Sequence, residues 1–132
     1  MPHIELSYSA NLENTTDIAG LCNALRLSCI ETNVAPLAGI RIRAFKADHV
    51  SIADGDKQHG YIDFSVRLRE GRSDEQKKLL TNTLFDTAKH WLAEPMNSYS
   101  IALSMELRDI NDTYSPKTGS IRKHLNQSDT GA

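Results

Sequence analysis

Hydrophobic and polar positions alternate at the start of the chain. Ile4, Leu6 and Tyr8 interleave with His3, Glu5 and Ser7, the two-residue period of a strand with one buried face. From about residue 16 to residue 33 the period lengthens: Ile18, Leu21, Cys22, Leu25 and Cys29 recur at steps of three and four, the stripe of an amphipathic helix. Thr15 or Thr16 can cap it, and Asp17 sits near the positive end of its dipole. Pro36 and Gly39 close the segment. Ile40 and Ile42 then alternate with Arg41 and Arg43 as a second strand.

After an Asp54-Gly55 turn the same order repeats. Ile62, Phe64, Val66 and Leu68 alternate with Tyr61, Asp63, Ser65, Arg67 and Arg69, the longest strand pattern in the chain. Gly71 breaks it, and Ser73 with Gln76 forms a capping box behind which Asp74 and Glu75 add acid to a first helical turn. Leu80, Leu84, Ala88, Trp91 and Leu92 stripe a helix to about Ala93, which Pro95 stops. Ile101, Leu103, Met105 and Leu107 then mark a fourth strand.

The plan is strand, helix, strand, twice. A helical connection implies a right-handed crossover and parallel pairing within each half. The predicted fold is α+β, a two-layer sandwich of two βαβ units whose four strands merge into one mixed sheet with two helices on one face. We expect one domain over 1–132, with units at 2–58 and 59–110 and a C-terminal arm at 111–132. The other sheet face carries His3, Glu5, Arg41, Asp63, Arg67 and Glu106. Alternation alone favours water on that face over a second subunit. In the polar arm only Ile121 and Leu125 offer apolar anchors.

Composition narrows the function. The chain has 132 residues, 39% of them hydrophobic and 24% charged, as expected of one ordinary globular domain. Fifteen basic against seventeen acidic residues leave a formal charge of -2, which recommends neither nucleic acid nor a membrane surface as partner. No apolar run approaches a membrane span, and no secretory leader pattern opens the chain. Cys22 and Cys29 lie two turns apart on one helix, roughly 10 Å along the axis and too far for a disulfide. They read as reduced core thiols of a cytoplasmic protein. The five histidines show no paired ligand spacing, so no metal site is expected. Asp54-Gly55-Asp56 reads as a turn, because Ser65 stands where a calcium loop needs its last acidic ligand.

The chemistry that remains is Pro2 and the arginines. A free N-terminal proline is a rigid secondary amine, and an apolar pocket near guanidinium groups disfavours its charged form. A base brought near neutrality can collect a proton and return it elsewhere on the same molecule. Arg41 opens a strand after Gly39-Ile40, and Arg72 lies in the Gly71-Arg72-Ser73 turn. Arginines in such places fit carboxylates bidentately, each contact contributing about 1.5–3 kcal/mol. Taken singly, each of these features also fits an ordinary surface residue.

Together they match something known. The run Arg69-Glu70-Gly71-Arg72-Ser73-Asp74-Glu75-Gln76-Lys77 resembles the strand-to-helix motif of 4-oxalocrotonate tautomerase. Pro2-His3, the run Pro36-Leu37-Ala38-Gly39-Ile40-Arg41-Ile42-Arg43, and Ala53-Asp54-Gly55 resemble the 5-carboxymethyl-2-hydroxymuconate isomerase family of the tautomerase superfamily. The likeness covers roughly residues 2 to 110. It implies the duplicated βαβ fold and a homotrimer that buries much of the polar sheet face. It also implies catalysis without metal or organic cofactor. Pro2 matches the catalytic base, and Arg41 and Arg72 match arginines that bind carboxylates and steady the developing dienolate. Arg43 is a further substrate-binding candidate, since alternation puts it on the face of Arg41. The implied reaction converts a carboxylated dienol such as 5-carboxymethyl-2-hydroxymuconate to its unsaturated ketone by a 1,3-proton shift, within the aromatic catabolism that follows ring cleavage of homoprotocatechuate.

Two departures bear on this. The second unit begins Gly60-Tyr61-Ile62 where a single-unit relative would have its proline, leaving one base per chain. If Met1 stays attached, the Pro2 nitrogen is a tertiary amide without a basic lone pair. Two alternatives stay open: a decarboxylase or hydratase of the superfamily, which needs an acidic or hydroxyl partner such as Glu5 or Tyr8, and a non-catalytic trimeric binding protein on the same scaffold.

Overall fold

The computed structural model describes residues 1–125. Its first unit runs β1 (His3–Ser9), α1 (Ile18–Thr32), β2 (Arg41–Ala47). Its second runs β3 (His59–Arg69), α2 (Asp74–Trp91), a short α3 (Ala93–Ser98) and β4 (Ser100–Ile110). The sheet order is β2-β1-β3-β4. Strands pair in parallel within each unit, from His3↔Arg41 to Ser9↔Ala47 and from His59↔Ser100 to Arg69↔Ile110. The units join through an antiparallel seam between β1 and β3, with His3 opposite Arg67 and Tyr8 opposite Ile62. The predicted mixed sheet is thus present, each crossover made by a helix.

The two-residue period sorts the side chains as expected. Ile4 and Leu6 of β1, with Ile62, Phe64, Val66 and Leu68 of β3, are fully buried beneath Leu21 and Leu25 of α1 and Leu80 and Leu84 of α2. Burying each such side chain contributes about 1.5–3 kcal/mol, so the two units stabilise each other through one shared core. The opposite face keeps the polar set, with Phe45 of β2 exposed among it at 55%.

Local details depart from the sequence reading in three places. Helix α1 is capped by Asp17, whose carboxylate accepts the Gly20 N–H at 3.0 Å, rather than by Thr15 or Thr16. Thr16 instead accepts the Trp91 indole N–H at 3.1 Å. Trp91 is not a core residue: it is 37% exposed and lies across Gly20, where a Cβ would come within 2.7 Å of its ring. Pro95 does not end a helix but sits in the first turn of α3, where its missing N–H leaves no extra unpaired donor. The capping box of α2, by contrast, is formed by Ser73 and Gln76 as expected.

Cys22 and Cys29 are both free thiols; Cys29 is buried, and burial pushes it up to about 11. Among the described residues no helix is long and apolar enough to cross a membrane, and no cluster of three or more His, Cys, Asp or Glu side chains could hold a metal ion.

Candidate active site

Residues from several elements meet where β1 and β2 begin and β3 ends. Pro2 directly precedes β1 and is fully buried. Its carbonyl accepts the Arg41 N–H at 3.3 Å, which ties the start of β1 to the start of β2. A short 3₁₀ turn, Leu37–Gly39, delivers the chain into β2. Gly39 and Met1 approach closely there: a Cβ at position 39 would lie 3.1 Å from the Met1 Cα and Cγ. Met1 therefore lies against the wall of a cavity of about 320 Å³, large enough for a small organic acid.

Arg41, Arg69 and Arg72 line this cavity together with Met1 and Gly39. The Gly71-Arg72 turn brings Arg72 back over the 3₁₀ segment, where its Nε donates to the Val34 carbonyl at 3.2 Å and Nη1 to the Arg69 carbonyl at 3.5 Å. Two backbone acceptors thus orient the guanidinium without neutralising it. Arg41 and Arg72 line the cavity; Pro2 does not line it itself but lies buried directly behind Met1, which does. Arg43 shares the face of Arg41 but is held elsewhere: Nη2 donates to the Glu5 carboxylate and Nη1 to His3 Nδ1 at 3.3 Å. It is not among the residues that line the cavity.

The arm following β4 closes the far side. Asp112 accepts from Arg69 Nη2 at 3.2 Å and from Lys117 Nζ at 3.4 Å, while its own N–H donates to Glu70 Oε1 at 3.0 Å. The Lys117 contact, then Arg69, holds the Asp112 carboxyl below the usual carboxylate range. With the arm clasped in this way, Lys117, Thr118, Ile121 and Arg122 line the cavity opposite the three arginines. The sequence reading missed Arg69 and the arm cations. Alternation makes Arg69 an outward strand position and the tautomerase-like run begins with it, but neither assigns it a role in the site. The arm has no periodicity from which its path can be read.

The electrostatic consequence is visible at the chain terminus. Burial, followed by Arg72, Lys117, Arg69 and Arg41, draws the Met1 ammonium below its ordinary value of 8.0. His3 is likewise lowered from 6.5, by burial first and then by Arg67, Arg41 and Arg43. The Arg43 N–H donated to Nδ1 places the proton of the neutral ring on Nε2. A secondary amine at this position would sit in a field that favours its neutral, basic form, beside cations suited to carboxylates.

A sheet assembled from two βαβ units, with a cationic cavity where β2 begins, is the arrangement of a tautomerase-type isomerase. The profile of the 5-carboxymethyl-2-hydroxymuconate isomerase family matches residues 2–125, and the chain belongs to that family. It is 30% identical over 121 residues to the 5-carboxymethyl-2-hydroxymuconate Delta-isomerase of Escherichia coli, an alignment covering 92% of this chain and 96% of that one. The crystal structure of a 5-carboxymethyl-2-hydroxymuconate isomerase from Deinococcus radiodurans R1 superposes with a TM-score of 0.87 at 24% identity, covering 95% of each chain. A fused 4-OT symmetric trimer shares the fold more distantly, with a TM-score of 0.63 at 20% identity over 98% of this chain and 99% of that one.

Proposed function

We propose that this chain, once Met1 is removed, ketonises a polycarboxylate dienol of the 5-carboxymethyl-2-hydroxymuconate type with Pro2 as the base. The observation that carries this reading is the convergence of Arg41, Arg69 and Arg72 on a cavity lined by Met1, the residue joined to the buried Pro2. The Pro2 nitrogen takes the substrate hydroxyl proton. The enol oxygen becomes a carbonyl as the electrons of the diene shift, and the proton on Pro2 passes to a carbon of the conjugated chain, so the base is regenerated. Arg41 and Arg72 hold carboxylates and offset the negative charge that develops on oxygen. Arg43 stands behind this set, held by Glu5 and His3.

Metal and organic cofactors have no role in this scheme. The proposed setting is the cytoplasm, in the catabolism of homoprotocatechuate ring-cleavage products. The proposed assembly is a homotrimer that covers the polar sheet face, where Phe45 stands exposed. No observation favours a decarboxylase or hydratase. Glu5 is engaged by Arg43, and Tyr8 is buried on the opposite sheet face, donating to Glu13.

The test is ultraviolet-monitored ketonisation of 2-hydroxymuconate and its 5-carboxymethyl derivative. The Met1-free protein, verified by intact mass, is compared with the Met1-retained form. Turnover confined to the Met1-free form supports Pro2 as base. Equal turnover by both removes Pro2 from the chemistry, and none by either leaves the non-catalytic binding protein.

A further inference from the structure

The cavity has two banks of different origin, and the proposed function uses only one. Arg41, Arg69 and Arg72 come from the sheet ends and the turn after β3, whereas Lys117 and Arg122 come from the arm. In a chain whose formal charge is -2, these five cations converge on one cavity, and among the described residues no acidic side chain lines it. Asp112 lies just outside, holding Arg69 and Lys117. It sets the arm in place but leaves Arg41, Arg72 and Arg122 without a carboxylate partner among the described residues. Gathering so many like charges is unfavourable unless a ligand brings the missing negative charge.

We infer that the arm is a selectivity element, in which Lys117 and Arg122 receive the substrate carboxylate that the sheet-end arginines leave over. This rests on the proposed function for the site but adds a separate claim: the second bank discriminates tricarboxylates from dicarboxylates. Two carboxylates can be satisfied at Arg41 and Arg72. A third, carried on a side branch within about 320 Å³, meets the arm. A dicarboxylate leaves Arg122 without a carboxylate among the described residues and Lys117 with Asp112 alone, and gains nothing from the arm.

Binding is tested without turnover by titration calorimetry at low salt on the Met1-free protein. Propane-1,2,3-tricarboxylate is compared with glutarate, which has one carboxylate fewer. The wild-type chain is expected to prefer the tricarboxylate. Lys117→Met and Arg122→Met each reduce that preference, the double variant by about tenfold or more, and Lys117→Arg retains it. Circular dichroism and the thermal midpoint confirm that each variant is folded. A preference unchanged in the double variant overturns the inference, as does a wild type that binds both acids equally. If the preference behaves as expected but no dienol is turned over, the catalytic proposal fails and this one stands. If turnover is confirmed while the preference is unmoved, the reverse holds.

Discussion

The two βαβ units begin alike and end in different chemistry. In each, a histidine opens the inner strand and pairs with the first residue of the outer one: His3 with Arg41, and His59 with Ser100. At the first, Arg41 is left to line a cationic cavity beside a buried proline. At the second, His59 is closed on both sides, Nδ1 lying 2.7 Å from Ser100 Oγ and Nε2 2.7 Å from Asp54 Oδ1. The surface depression beside it is lined by both signs of charge, Asp48 and Asp56 with Lys57. Duplication therefore supplied two equivalent positions at strand starts. At the first end, Arg41 and Arg72 keep charges that no carboxylate among the described residues pairs with.

The contrast is sharpest in the rate. Retaining Met1 should slow ketonisation by about 10²–10⁴-fold, the usual contribution of a positioned proton-transfer group, while His59→Asn at the other end should leave the rate within a factor of two or so. A His59 variant as slow as the Met1-retained protein would break the comparison. The shared core predicts the opposite, equality between the halves. Leu25→Ala and Leu84→Ala, each at a fully buried helix position, should each cost about 2–5 kcal/mol in a single urea transition. Two separate transitions would show that the units do not depend on each other.

Smaller effects refine the picture. Arg72→Ala should raise KM and lower kcat/KM for a carboxylate-rich dienol by about ten- to a hundredfold, and unchanged kinetics would remove Arg72 from the site. The Met1 ammonium is disfavoured in the folded state, so the folded chain binds fewer protons than the unfolded one below pH 8.0. Its contribution to stability is complete above that pH and is lost as pH falls through the lower folded value. Titrating the Met1-retained α-amine by NMR should place it below 8.0, and Arg72→Ala should move it upward.

The smallest effect belongs to the closed end. The Asp56 N–H, then His59, holds the Asp54 carboxyl below 3.8, so whatever stability it adds is present above that pH and lost as pH falls further. Asp54→Asn should leave turnover unchanged. Its small deficit in thermal midpoint should close under acid.

Much of this was legible in the sequence because period and register are local. Alternation placed Ile4, Leu6, Phe64 and Val66 inside, and Ser73 with Gln76 announced a helix start that the structure contains. The cap of α1 was misplaced by one or two positions because three consecutive residues, Thr15, Thr16 and Asp17, are all competent caps. In the fold Thr15 donates to the Asn11 carbonyl and Thr16 accepts from Trp91, 75 residues away, while Asp17 caps the helix. Arg43 and Arg41 could be assigned to one face, but not the Glu5 contact that holds one of them back. The arm was least legible, since its position depends on Asp112 meeting Arg69 and on no pattern of its own.

The Met1 position has a practical consequence. Strand β1 is an inner strand of the sheet, and the residue ahead of Pro2 already touches the wall formed by Gly39. An appendage fused before Met1 starts from a residue that lines the cavity beside Arg41 and Arg72. An affinity tag placed there is not a neutral handle on this protein. Under the proposed function it should act as a tethered inhibitor, present at one copy per site.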